Sequence, residues 1–149
     1  MHMIKYDHKR GCTMTKNELY LQIQQVRQQL NREKSKQNEL EKQWDVLLVF
    51  AAKCNERAEA FMQSVQRRKR KLSGLDQLMS RMKSALNYRD RMNDLLSGVE
   101  YLHAKHSIDE MMDNLDRQKR KLRDQIETAE CRVHNLRRKL EQHQYEYDH

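Results

Sequence analysis

Two heptad runs constrain what this chain can fold into more than any other feature. The first passes through Leu19, Ile23, Val26, Leu30, Glu33, Gln37, Leu40, Trp44, Leu47, Ala51, Cys54, Ala58, Phe61, Val65, Arg68, Leu72, Leu75, Met79, Met82, Leu86, Arg89, Asn93 and Leu96. The second passes through Ile108, Met112, Leu115, Lys119, Leu122, Ile126, Ala129, Val133, Leu136, Leu140 and His143. A 3.5-residue repeat keeps one stripe of a helix against a partner helix. Such a chain is built to lie against other helices, which points to binding or scaffolding before any side-chain chemistry is considered.

The two runs are out of phase by one residue, and the shift falls at Ser97-Gly98, a helix stop signal. A second stop signal is Ser73-Gly74, preceded by Arg67-Arg68-Lys69-Arg70-Lys71. Cations in a last turn and Gly just beyond it suit a helix C-terminus. The heptad frame nevertheless runs through Gly74 without a slip. Either glycine can mark the turn.

The chain has 149 residues, no Pro and three Gly. No alternating apolar run bounded by turn residues suggests a strand. The expected fold is all-α: a long antiparallel, coiled-coil-like helical hairpin with room for a short helix at its tip. Residues 1–13 read as a flexible leader. Residues 14–149 read as one hairpin domain, with helices over about 15–72 and 99–145 and a tip region over 73–98. The helices would be roughly 85 and 70 Å long. Thr15 can cap the first, and Glu18 three residues on completes a capping box. A single seam makes a thin core, so oligomerisation or a partner is expected to stabilise it.

Charged residues make up 35% of the chain and the net charge is +8, which favours an acidic partner, nucleic acid or a membrane surface. The basic residues mix with acids except at Arg67, Arg68, Lys69, Arg70 and Lys71, at Lys119, Arg120, Lys121 and Arg123, and at Arg137–Lys139. The plain account is a solvated helix face. The sharper one is a patch for docking an acidic protein. Nucleic acid is the weaker expectation, because no recognised module or aromatic interleaving accompanies the cations. No run of about 20 apolar residues offers a transmembrane helix.

The cysteines, Cys12, Cys54 and Cys131, are odd in number and widely spaced, unlike a disulfide framework. A reducing compartment suits them. His8 and Cys12 form an i, i+4 pair, too little by itself for a metal site. No phosphate-binding loop, nucleophile elbow or HExxH occurs, and no cofactor, metal, small-molecule substrate or catalysis is expected.

Trp44-Asp45-Val46-Leu47-Leu48-Val49-Phe50-Ala51-Ala52 is the other singular stretch. A single seam would use Trp44, Leu47 and Ala51. Val46, Leu48, Val49 and Phe50 add apolar surface on other sides, and such a helix needs cover on more than one face. Trp44, Leu47, Leu48, Val49 and Phe50, with Phe61 and Met62 further along, are the expected partner-binding residues. A locally thicker internal core is the competing account. Met79, Met82, Met92, Met111 and Met112 extend a Met-rich zone suited to adaptable helix packing.

The segments Leu115-Asp116-Arg117-Gln118-Lys119-Arg120-Lys121-Leu122 and Glu127-Thr128-Ala129-Glu130 belong to a charged, heptad-patterned final helix. Leu96-Ser97-Gly98 stands where a Trp-x-Gly turn would be. In these respects the chain resembles WXG-type helical hairpins of type VII secretion, and more closely the small accessory proteins encoded beside LXG-domain toxins. It departs from them in having no Trp-x-Gly, with its sole Trp at Trp44. It also lacks a Tyr-x-x-x-Asp/Glu export motif: Tyr101 is followed by Lys105 and Tyr145 by His149. The resemblance implies a targeting factor or chaperone that works in the cytoplasm. It would bind a helical LXG-type toxin domain, with a second small helical accessory protein, and could be exported with its partner. The stalk proteins of type III and flagellar export ATPases share the length, charge and coiled-coil pattern. A self-assembling structural coiled coil, for instance of a phage, is a third possibility.

Overall fold

The computed structural model describes residues 14–79 and 83–149, with the side chains of 75–79 outside the described set. The leader of 1–13, the His8–Cys12 pair, the Met82 seam position and the side chains of Leu75 and Met79 therefore lie outside the described residues. Three helices make up the described chain: α1, Lys16–Met79; α2, Lys83–Ser97; and α3, Val99–Asp148. No strand occurs among the described residues.

The start of α1 follows from its sequence. The Thr15 backbone N–H donates to Glu18 Oε2 at 3.3 Å, and Thr15 Oγ1 accepts from the Glu18 N–H at 3.3 Å. The two residues satisfy each other's unpaired donors, as a capping box does. The end of α1 differs from the expected stop near residue 72. The helix runs through Gly74 to Met79. A glycine stops a helix most readily by entering the left-handed region, and no described glycine has a positive φ. Arg67–Lys71 thus lie within a helix rather than at its last turn.

The break falls at Gly98, one residue between α2 and α3. A Cβ there would run into the Asp94 carbonyl oxygen, with the carbonyl carbon only 3.3 Å away. Only glycine permits this approach. Leu102 N–H already donates to the Gly98 carbonyl at 3.0 Å, so α3 begins at once.

The chain forms two compact units. One joins the chain up to Gln43 with Leu122–His149; the other is Trp44–Lys121. Each is all-α and of the helical-hairpin class, with an outgoing stretch of α1 against a returning stretch of α3.

In the first unit the pairing is antiparallel. Lys16 Nζ sits 5.7 Å above the Tyr147 ring, while Gln29, Arg32 and Glu33 line a groove with Arg132, Asn135 and Leu136. Leu19, Ile23, Val26 and Leu30 are buried on α1, and Leu122, Ala129 and Val133 are buried on α3. All seven are seam positions. Three seam residues are polar, Glu33, Gln37 and His143, and all three are half-buried.

In the second unit Ala51, Val65, Leu72, Leu96 and Leu115 are the buried apolar residues, and all five are again seam positions. Val65, Leu72 and Leu96 form one cluster, with Phe61, Met92 and Tyr101 packed on it. One seam position is corrected: Arg68 is exposed and Lys69 is half-buried instead. The Lys69 stem can lie along apolar surface while its ammonium sits 5.3 Å from the Tyr101 ring centroid. No described side chain in either unit is enclosed below 2% exposure. A pair of helices shields only the faces it shares.

Candidate protein-docking surface

The expected partner-binding residues all lie on α1 in the second unit, and its geometry divides them. Trp44 and Leu47 are half-buried, as seam positions should be. Phe61 and Met62 are also half-buried, and both meet α3. The Phe61 and Tyr101 rings stack with centroids 6.3 Å apart, and Tyr101 Oη donates to Met62 Sδ at 3.7 Å. Ala58 and Met62 line a groove with Lys105, Ile108 and Met112. Phe61 and Met62 therefore have partners within their own unit.

Leu48, Val49 and Phe50 point to solvent, and Val46 joins them. Val46 is 70% exposed, Val49 and Phe50 more than half exposed, and Leu48 40%. Residues i, i+3 and i+4 share a helix face, so Val46, Val49 and Phe50 form one apolar ridge. Leu48 falls on a different side, nearer the seam. Lys53 and Arg57, one and two turns on from Val49, continue the ridge, and both are exposed. The stretch that reads as apolar all round is thus covered along Trp44, Leu47 and Ala51 and open along Val46, Val49 and Phe50.

The basic residues divide as well. Arg67, Arg68, Arg70, Lys71, Arg120 and Lys121 are exposed, while Lys69 and Lys119 are half-buried. Lys119 occupies a seam position, where a long aliphatic stem substitutes for an apolar side chain. Arg120 Nε donates to the Asp116 carbonyl at 3.4 Å, which ties it to its own helix.

Among the described residues no group of three or more His, Cys, Asp or Glu side chains could hold a metal. Cys54 and Cys131 are free thiols, the first half-buried and the second exposed. No described helix is long and apolar enough to cross a membrane.

The sequence reading missed a further group of exposed apolar residues: Tyr88, Leu95, Val99 and Leu102. Their spacing carried the signal, because Leu95, Val99 and Leu102 follow a 4-3 step in a frame used by neither seam. No protein-family model, curated protein or solved structure matches the chain.

Proposed function

We propose that this chain is a non-catalytic helical protein-binding module that docks another helical protein through Val46, Val49 and Phe50. The observation that supports this reading is the open ridge on α1. Two valines and a phenylalanine face solvent on the side away from the covered Leu47 and Ala51. Scattered apolar residues on a surface need no explanation, but a contiguous ridge with charged neighbours is what interaction sites look like. The exposed cations Lys53, Arg57, Arg67, Arg68, Arg70 and Lys71 lie on the same helix and favour an acidic partner.

The resemblance to accessory proteins beside LXG-domain toxins supplies the partner class. On this reading the chain is a cytoplasmic targeting factor or chaperone for a helical toxin domain of type VII secretion. It acts with a second small helical protein and is able to leave with its cargo. A stalk turning inside an ATPase ring has no use for an apolar ridge, which would adhere to the ring.

The test is affinity purification from the native host of tagged wild-type protein and of a Val49→Asp/Phe50→Asp variant, with captured proteins identified by mass spectrometry. A helical toxin domain should be captured by the wild type and lost from the variant, whose circular dichroism should be unchanged. Capture of an export ATPase, or equal capture by both proteins, overturns the reading.

A further inference from the structure

Nearly all of the net charge lies in one stretch. Nine of the chain's 30 Lys and Arg fall between Arg67 and Arg91, against two of its 22 Asp and Glu. The rest of the chain is close to neutral. One of those two acids, Asp90, is already paired with Arg89 at 3.1 Å. Among the described residues no carboxylate pairs with Arg67, Arg68, Arg70 or Lys71.

The uninterrupted helix gives this charge a geometry. Had α1 stopped at Gly74, these cations would have served its own C-terminus. α1 runs on to Met79, so they project from a helix interior. Val65 and Leu72 are buried and Lys69 is half-buried, while Arg67, Arg70 and Lys71 share the exposed side by their i, i+3, i+4 spacing. Gln66, Ser73 and Gly74 beside them are exposed too. Nothing comes within 4 Å of where a Cβ on Gly74 would sit, so this side opens on free space. Met92 and Leu96 hold α2 against Val65 and Leu72, and Lys83 and Arg91 on α2 are exposed.

The polar character of this side narrows its occupant. No described large apolar side chain between Phe50 and Tyr88 is exposed. A protein partner is seated chiefly by aromatic and apolar anchors, and exposed ion pairs alone hold it weakly. A helix that lies on a membrane buries an apolar side in the lipid, and here that side is cationic. A phosphate backbone needs no apolar anchor. Arg, Lys, Gln and Ser contact its oxygens, and released counterions drive the binding. Interleaved aromatics serve base stacking on single strands and recognised modules serve base readout; backbone contact on a duplex requires neither. Arg67 lies about 25 Å along the axis from Phe50, beyond a partner seated on the Val46–Phe50 ridge.

We infer that the Arg67–Lys71 side of α1 binds the backbone of duplex nucleic acid without regard to sequence, independently of the ridge.

The test is fluorescence anisotropy of the full chain with a labelled random-sequence DNA duplex of about 20 base pairs, titrated from low salt to about 0.15 M. A duplex RNA of the same length separates the two sources of backbone. Binding should weaken with salt, with a log–log slope of roughly −3 for three contacted phosphates. Arg67→Gln/Arg70→Gln/Lys71→Gln changes only exposed side chains, so circular dichroism should be unchanged. It should weaken binding at least about tenfold at low salt and flatten the slope. Arg137→Gln/Arg138→Gln/Lys139→Gln removes as much charge from the far end of α3 and should shift affinity less than about twofold. Val49→Gln/Phe50→Gln should bind the duplex as the wild type does, which separates this side from the ridge. No binding to either duplex at low salt, or equal loss from the two triple variants, overturns the inference. So does tighter binding to polyglutamate or to phosphatidylserine vesicles than to the duplexes.

Discussion

The rings of Phe61 and Tyr101 lie 6.3 Å apart, centroid to centroid, and only 17° from parallel. They join α1 to the first turn of α3, three residues beyond the Gly98 break. Tyr101 also donates to Met62 Sδ and lies under the Lys69 ammonium. One side chain thus serves three residues of α1. Replacing Tyr101 with Ala should cost about 2–3 kcal/mol, since both stacking and apolar burial are lost. Tyr101→Phe keeps the stack and gives up only a weak hydrogen bond to sulfur, so it should cost well under about 1 kcal/mol. Urea denaturation of the two variants measures the difference.

The two described glycines should respond oppositely to the same substitution. Gly74 lies within α1 and nothing comes within 4 Å of where a Cβ would sit. Gly74→Ala should stabilise the chain by about 1 kcal/mol through helix propensity and a less flexible unfolded state. Gly98→Ala must push against the Asp94 carbonyl and should destabilise by more than that amount. Thermal unfolding followed by circular dichroism should show one melting temperature rise and the other fall.

Glu33 is one of the polar interruptions in the seam of the first unit. Its Oε2 is buried without a hydrogen-bond partner among the described residues. A buried acceptor left unpaired costs about 1–3 kcal/mol. Glu33→Leu should therefore raise stability by about 1–2 kcal/mol while preserving the seam. A fall in denaturation midpoint would mean that the carboxylate is needed for register.

The exposed ridge and the buried seam should separate in mutagenesis. Val49→Asp and Phe50→Asp alter solvent-facing positions and should change stability by no more than about 0.5 kcal/mol. Val65→Asp places a carboxylate in the Val65–Leu72–Leu96 cluster and should cost several kcal/mol, or unfold the second unit. The comparison needs only denaturation midpoints for the three single variants.

Much of this was legible in the residues, because helix periodicity and capping are local properties. Every buried apolar residue described lies on one of the two heptad runs, and the Thr15–Glu18 box forms as written. The one-residue slip in frame at Ser97-Gly98 coincides with the break between α2 and α3. What the residues alone left open depended on partners distant along the chain. Gly74 and Gly98 carry similar stop signals. Close approach to the Asp94 carbonyl distinguishes Gly98, whereas the surroundings of Gly74 are open. Heptad counting placed Arg68 inward, but the Tyr101 ring selects Lys69, whose stem and ammonium suit the site. Trp44, Leu47, Phe61 and Met62 read like Val46, Val49 and Phe50 in sequence. Tertiary packing separates them, because a helix pair covers one face of each helix and leaves the opposite face to whatever binds next.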